Sequence, residues 1–180
     1  MYAIISVLDP ESCQIVNEIW HQLCDACGLK AIYNLPTPHF TWLLADALEV
    51  NRTEPILAEI ASNAKQMTLH TFGIGLFTGE NPVLYLPLVK SREMINLHEA
   101  IWEQIAPFSA GEKLYYSPRL WVPHITLALN DLTRDNLACA VSKIAFEQIE
   151  LFVQVNNLAI VKQENDQPGE TLSKFCLVGN

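Results

Sequence analysis

The 180-residue sequence predicts a mixed α+β fold built by an internal duplication of architecture. Three observations predict it. Segments of helical apolar period alternate with short β-favouring runs. The order helix, proline-led strand, helix, paired strands occurs twice, over roughly 1–90 and 91–180. One five-residue pattern also appears once in each of those halves. The length suits a single domain of two pseudo-repeats spanning 1–180.

Met1 to Leu8, rich in Tyr, Ile and Val, reads as a strand. Asp9-Pro10 opens a helix, because Asp is a good N-cap and Pro is tolerated at the first helical position. Its inner stripe is Ile15, Val16, Ile19, Trp20 and Leu23, continued by Cys24 and Cys27 and ended near Gly28. Leu29 to Thr37 is a loop, and His39 to Leu44 a strand. Thr53 or Glu54 begins a second helix with Ile56, Leu57, Ile60, Ala61 and Ala64 on one face. Strands follow over roughly Met67–Phe77 and Val83–Val89, joined by a turn at Gly79-Glu80-Asn81-Pro82.

In the second half Ser91 caps a helix whose inner face is Met94, Leu97, Ile101, Trp102 and Ile105. A polar and aromatic loop from Ser109 to Arg119 leads into a strand from Val122 to Leu129. Thr133 starts another helix, with Leu137, Ala140, Val141 and Ile144 inward. Two strands close the chain, roughly Ile149–Val161 and Leu172–Val178, across the polar loop Lys162 to Thr171.

Composition narrows the function classes. Half the residues are hydrophobic, so a sizeable core is expected and global disorder is excluded. Apolar runs such as Met1–Ile5 fall far short of the roughly 20 residues that cross a bilayer. No basic segment followed by an apolar one opens the chain, which predicts a cytoplasmic protein without an export signal. Eleven Lys+Arg against 20 Asp+Glu argue against wrapping long or duplex nucleic acid, which needs many cations to displace counterions. The five cysteines, odd in number and scattered, read as reduced thiols. His21, Cys24 and Cys27 could be taken for a metal or redox site, but no fourth ligand or strand-loop context accompanies them. Core packing of the two thiols is the better reading.

The chemistry lies in the repeated pattern. Pro38-His39-Phe40-Thr41-Trp42 and Pro123-His124-Ile125-Thr126-Leu127 are both Pro-His-apolar-Thr-apolar. Strand side chains alternate, so each strand offers an imidazole and a hydroxyl on one side and anchors in a core with the other. With 9 Thr and 10 Pro in the chain, one histidine has a chance on the order of one in a thousand of sitting in that pattern. Only five histidines are present, so two matches are no accident. An imidazole titrates near pH 6.5, so one ring can be neutral while another is protonated. Facing each other across a cleft, His39 and His124 could act as general base and general acid on a phosphodiester. Thr41 and Thr126 would donate hydrogen bonds to its non-bridging oxygens. His70 and His21 have no such partners, and His98 reads as packing at the edge of the core.

Paired His-x-Thr-x motifs about 85 residues apart in a duplicated α/β chain resemble the 2H phosphoesterase superfamily, in particular the bacterial 2′-5′ RNA ligase-like proteins and RNA cyclic phosphodiesterases. The resemblance covers nearly the whole chain in element order, but only the two tetrapeptides are specific. It implies a bilobal pseudo-twofold fold, with an antiparallel sheet in each lobe, helices outside and a central groove. It also implies hydrolysis of 2′,3′-cyclic phosphates, or making and breaking of 2′-5′ links, without metal or other cofactor. His39, Thr41, His124 and Thr126 match the motif positions without substitution. Arg119, five residues before His124, is the nearest cation and a candidate substrate contact. Tyr2 and Tyr85 lie on strands that the resemblance places beside the groove, where a ring could stack on a base. Tyr115, Tyr116 and Trp121 form an aromatic approach to the second motif. The expected substrate is a small nucleotide or an RNA terminus, bound by a monomer. A non-catalytic nucleotide-binding module of the same fold is the alternative.

Overall fold

The computed structural model describes residues 1–163 and 169–179. Its first six strands are β1 (Tyr2–Val7), β2 (His39–Ala45), β3 (Ala47–Leu48), β4 (Met67–His70), β5 (Gly75–Phe77) and β6 (Val83–Pro87). Five more follow: β7 (Ser109–Ala110), β8 (His124–Ala128), β9 (Phe152–Val155), β10 (Asn157–Lys162) and β11 (Glu170–Cys176). A seven-stranded sheet runs through the molecule in the order β11-β10-β1-β2-β8-β6-β5. Every neighbouring pair in it is antiparallel. Two short ladders stand apart, β3 with β7 and β4 with β9.

The mixed α+β prediction with antiparallel pairing holds, with one refinement. The expected two sheets are fused into one, because β2 and β8 meet at the single rung Phe40↔Ile125. That rung divides the sheet into a four-stranded and a three-stranded part. β1 and β2 from the start of the chain pair there with β10 and β11 from its end, while β5 and β6 pair with β8. Each part therefore draws on both halves of the sequence.

Among the described residues four α-helices pack on one side of the sheet, three of them directly on its strands. α1 (Pro10–Cys27) is capped by the Asp9 carboxylate, which accepts from the Ser12 N–H, and ends at Gly28, whose φ of 74° suits a residue without Cβ. α2 (Val50–Asn63) and α3 (Arg92–Ile105, capped by Ser91) pack on each other and over β10, β11 and β2. α4 (Leu137–Ile144) packs on α1, which also touches β8. β2 shows why the helices sit there. Phe40, Trp42, Leu43 and Ala45 are buried in the main core, whereas His39 and Thr41 alternate to the other side.

Several boundaries differ from the sequence reading. α2 starts a turn early, because the Glu49 carbonyl already accepts from Arg52 and Thr53. α4 starts a turn late, at Leu137, because the Asn136 side chain folds back to accept the Thr133 N–H. The expected strand over 67–77 is two strands with different partners, separated by a turn where Gly73 has φ 68°. The strand expected over 149–161 likewise divides into β9 and β10. Residues 164–168 of the expected loop Lys162–Thr171 lie outside the described residues. His98 is not at the core edge but inside it, 2 % exposed.

The reading of all five cysteines as reduced thiols is corrected. Cys27 and Cys139, 112 residues apart, form a disulfide between the end of α1 and α4; Cys13, Cys24 and Cys176 are free. The packing of α1 on α4 brings the two sulfurs together, which spacing in sequence could not show. No described helix is long and apolar enough to cross a membrane.

Candidate active site

The two motif strands repeat each other in local structure. The carbonyl of the proline before each histidine accepts a backbone N–H from the residue after the inner neighbour strand: Leu8 to Pro38 at 3.1 Å, Leu88 to Pro123 at 2.9 Å. Those prolines lead the strands where no ladder donor is needed. The register then shifts by one residue immediately after each threonine, leaving Trp42 and Leu127 as the extra residues of two β-bulges. Up to that point His39 and Thr41, like His124 and Thr126, keep to the face away from the helices.

Stepping one residue each way from the Phe40↔Ile125 rung sets His39 across from Thr126 and Thr41 across from His124. The two histidines are thus diagonal neighbours, which in a regular antiparallel pair stand about 7–8 Å apart. A tetrahedral phosphate can lie between rings at that spacing. The imidazoles are oriented alike. His39 Nδ1 lies 2.7 Å from the Thr37 carbonyl oxygen, and His124 Nδ1 lies 2.7 Å from that of Val122. A carbonyl can only accept, so Nδ1 carries the proton and Nε2 keeps its lone pair for the groove.

Burial pushes both imidazoles below the usual histidine range, against the opposing pull of those carbonyl bonds. His39 is lowered further by the nearby His124. The neutral form of each ring is favoured, and protonating one hinders protonating the other.

A cavity of about 880 Å³ opens beside the second motif. His124 and Thr126 line it together with Phe77, Tyr115, Tyr116, Leu44 and the amide residues Asn34, Asn81, Asn130 and Gln163. No Asp, Glu, Lys or Arg is among its described lining residues. Toward β10 the groove face is apolar, with Ile5, Ala159 and Val161 buried against one another. Tyr116 connects the motifs. Its ring stacks on that of His124, with centroids 6.3 Å apart and planes 28° from parallel. Burial pushes its hydroxyl up, and the Thr41 side chain lies close enough to favour the phenolate against that larger push.

The model of the 2′-5′ RNA ligase superfamily matches residues 8–167. The chain belongs to that superfamily. Solved structures share the fold across almost their full length at low identity. TT0787 of Thermus thermophilus has a TM-score of 0.67 at 20% identity, covering 99% of this chain and 98% of that one. A phosphoesterase gives 0.62 at 17%, covering 98% and 97%. E. coli LigT, crystallised with NADP+, gives 0.59 at 16%, covering 98% and 96%. No curated protein sequence matches the chain.

In this member of the 2′-5′ RNA ligase superfamily the four motif side chains stand together on one face of adjacent strands, although only His124 and Thr126 line the cavity itself. The other candidates are distributed differently. Tyr85 stands opposite Thr126, 8 % exposed, with its ring 4.1 Å from that of Phe77 and 5.1 Å from that of His124. It backs the histidine rather than offering a free face to a base. Tyr2 pairs with Ala45 and Lys162, in step with Ile4 on the helix-covered face, and so does not reach the groove. Its side is set by register with β2, which the sequence leaves open. Arg119 is exposed and outside the cavity lining, although Leu120 beside it is part of that lining.

His21 lies against the Tyr33 ring and Cys27 is in the disulfide, so the His21–Cys24–Cys27 cluster is dispersed. Phe77 and the cavity amides were not legible as site residues. Each arrives from a turn, a strand end or, for Asn34, a single turn of 3-10 helix, none of which carries a pattern of its own.

Proposed function

We propose that the chain is a metal-independent phosphodiesterase acting on 2′,3′-cyclic phosphate or 2′-5′ phosphodiester groups of nucleotides or RNA ends. The observation that supports this most is the twofold repetition of one arrangement: an imidazole tied back through Nδ1, a threonine hydroxyl on the same face, and a shared rung between the two strands. In hydrolysis of a cyclic phosphate, the neutral ring takes a proton from water at Nε2 as the water oxygen bonds to phosphorus. The bond from phosphorus to one ribose oxygen breaks, and the other ring, protonated, gives its Nε2 proton to that oxygen. One water is consumed, one ester bond is lost, and solvent returns the rings to their starting protonation. Each such proton transfer is worth roughly 10²–10⁴ in rate. Thr41 and Thr126 donate to the non-bridging oxygens, where charge grows in the transition state.

The lining supports a small substrate. With no charged side chain among the described lining residues, it suits a singly charged cyclic diester better than a polyanionic duplex. Both motifs come from one chain, so the reading needs no second copy and we take the protein as a monomer; sedimentation tests this.

The functional test is incubation with 2′,3′-cyclic AMP, GMP, CMP and UMP and a 2′-5′ dinucleotide, with products identified. His39→Ala and His124→Ala are each expected to lower turnover by about 10²-fold or more, with activity of the wild type persisting in chelator. Unchanged turnover in either variant refutes the assignment. Tight calorimetric binding of nucleoside monophosphates with no turnover by the wild type would replace it with a nucleotide-binding module.

A further inference from the structure

The backbone carbonyls of the two motif threonines are held in the same unusual way. The indole N–H of Trp20 donates to the Thr126 carbonyl at 3.0 Å, and the indole N–H of Trp121 donates to the Thr41 carbonyl at 3.0 Å. Both tryptophans are buried, at 3 % and 2 % exposure, so neither ring is free to turn away. The two bonds are not copies of one sequence feature. Trp20 sits in α1, 106 residues before its partner, whereas Trp121 lies in the loop preceding β8, 80 residues after its partner. Two lobes that differ in how they supply the donor nevertheless make the same contact at the same motif position.

The position explains the need. β2 and β8 share one rung only, and each strand bulges against its inner neighbour straight after the threonine. The peptide plane following Thr41, and that following Thr126, therefore sit where the regular ladder is interrupted on both flanks. A carbonyl there would be buried without a partner, and its peptide would be free to rock. Rocking that peptide swings the Cα–Cβ direction of the threonine, and with it the hydroxyl that faces the groove.

We propose that Trp20 and Trp121 are positioning residues, each indole clamping the peptide of one threonine so that its hydroxyl is aimed at the phosphate. This rests on the phosphodiesterase reading above. Trp121 is further wedged by the His98 ring at 3.8 Å and the Trp42 ring at 5.3 Å, and His98 Nε2 lies 3.0 Å from the Trp42 carbonyl oxygen. The clamp on Thr41 is thus anchored in the core under α3.

Trp20→Phe and Trp121→Phe keep an aromatic ring and remove the donor. Each is expected to lower kcat on 2′,3′-cyclic AMP by about tenfold or more with little change in KM, since aim rather than affinity is lost. Because Trp121 acts through Thr41, Trp121→Phe should add nothing to Thr41→Ala but should multiply the loss in Thr126→Ala; Trp20→Phe should show the reverse preference. A merely structural role would lower the melting temperature and leave kcat per folded molecule unchanged, and that result overturns the proposal. Losses equal on both threonine backgrounds overturn it as well. If a phenylalanine variant does not fold, benzothienylalanine at the same position replaces the N–H with sulfur at nearly constant shape, and the same kinetic comparison applies. A wild type inert on every cyclic nucleotide would refute the phosphodiesterase reading and the inference with it. An active wild type matched by both tryptophan variants refutes the inference alone.

Discussion

Gly75→Ala tests the link between the outer strand and the site. A Cβ at Gly75 would lie 2.3 Å from Cε2 and Cζ of Tyr85 and 2.6 Å from its hydroxyl oxygen. To regain van der Waals contact, the ring must move by roughly 1 Å. It has little room, since Phe77 stacks on it at 4.1 Å and the His124 ring lies at 5.1 Å on another side. Overpacking of this kind costs about 1–3 kcal/mol, and for a domain of this size each kcal/mol is about 2–4 °C in Tm. The displaced ring presses on the second motif histidine, where a shift near 1 Å can cost on the order of 10²-fold in rate. The assay is a thermal melt beside kcat/KM on 2′,3′-cyclic AMP. Tyr85→Leu in the same chain should restore the melt by giving the methyl somewhere to go. A Gly75→Ala protein with wild-type Tm and wild-type rate would refute the reasoning, because it would mean that Tyr85 is not wedged.

Three further outcomes follow from the charge states and the crosslink. Both motif imidazoles are held below about 6.5 by burial, so kcat/KM should rise and fall with pH about a maximum on the acid side of that value; a maximum above pH 7 would contradict it. His98 is pushed down to about 4, chiefly by burial, while the unfolded ring titrates near 6.5. The unfolded state therefore binds the extra proton first, and stability present above pH 6.5 should decline as pH falls toward 4. His98→Gln should flatten that decline in melts taken across the range. Reduction of the Cys27–Cys139 disulfide, whose cysteines are 112 residues apart, should cost about 2–5 kcal/mol, the upper end being the chain entropy of so long a loop, and Cys139→Ser should match the reduced protein. Peptide mapping without reductant should recover the linked pair.

What the sequence reveals is whatever is local. Asp9-Pro10 and Gly28 bound α1 because capping and left-handed φ are properties of a few adjacent residues. The alternation His39, Phe40, Thr41, Trp42 declares its own two faces for the same reason. What escapes is settled between distant strands. Tyr2 turns to the helix side because of its register with Ala45, and Tyr85 is claimed by Gly75 and Phe77 across the ladder. Cys27 meets Cys139 only after two helices pack. The indole bonds of Trp20 and Trp121 have no sequence signature, because the two donors reach equivalent carbonyls from unlike places.

The interleaving of the chain also dictates an order of assembly. As the polypeptide leaves the ribosome, β5, β6 and β8 are complete once residue 128 has emerged, and they can close on one another. β1, although made first, has β10 as one flanking partner and must wait for residues 157–162. Its open edge stays available to other strands through most of synthesis, an interval in which unpaired edges invite aggregation. Cutting the gene at the midpoint of its apparent repeat would strand β1 and β2 without their outer neighbours, so the two halves could not be expressed as separate stable lobes.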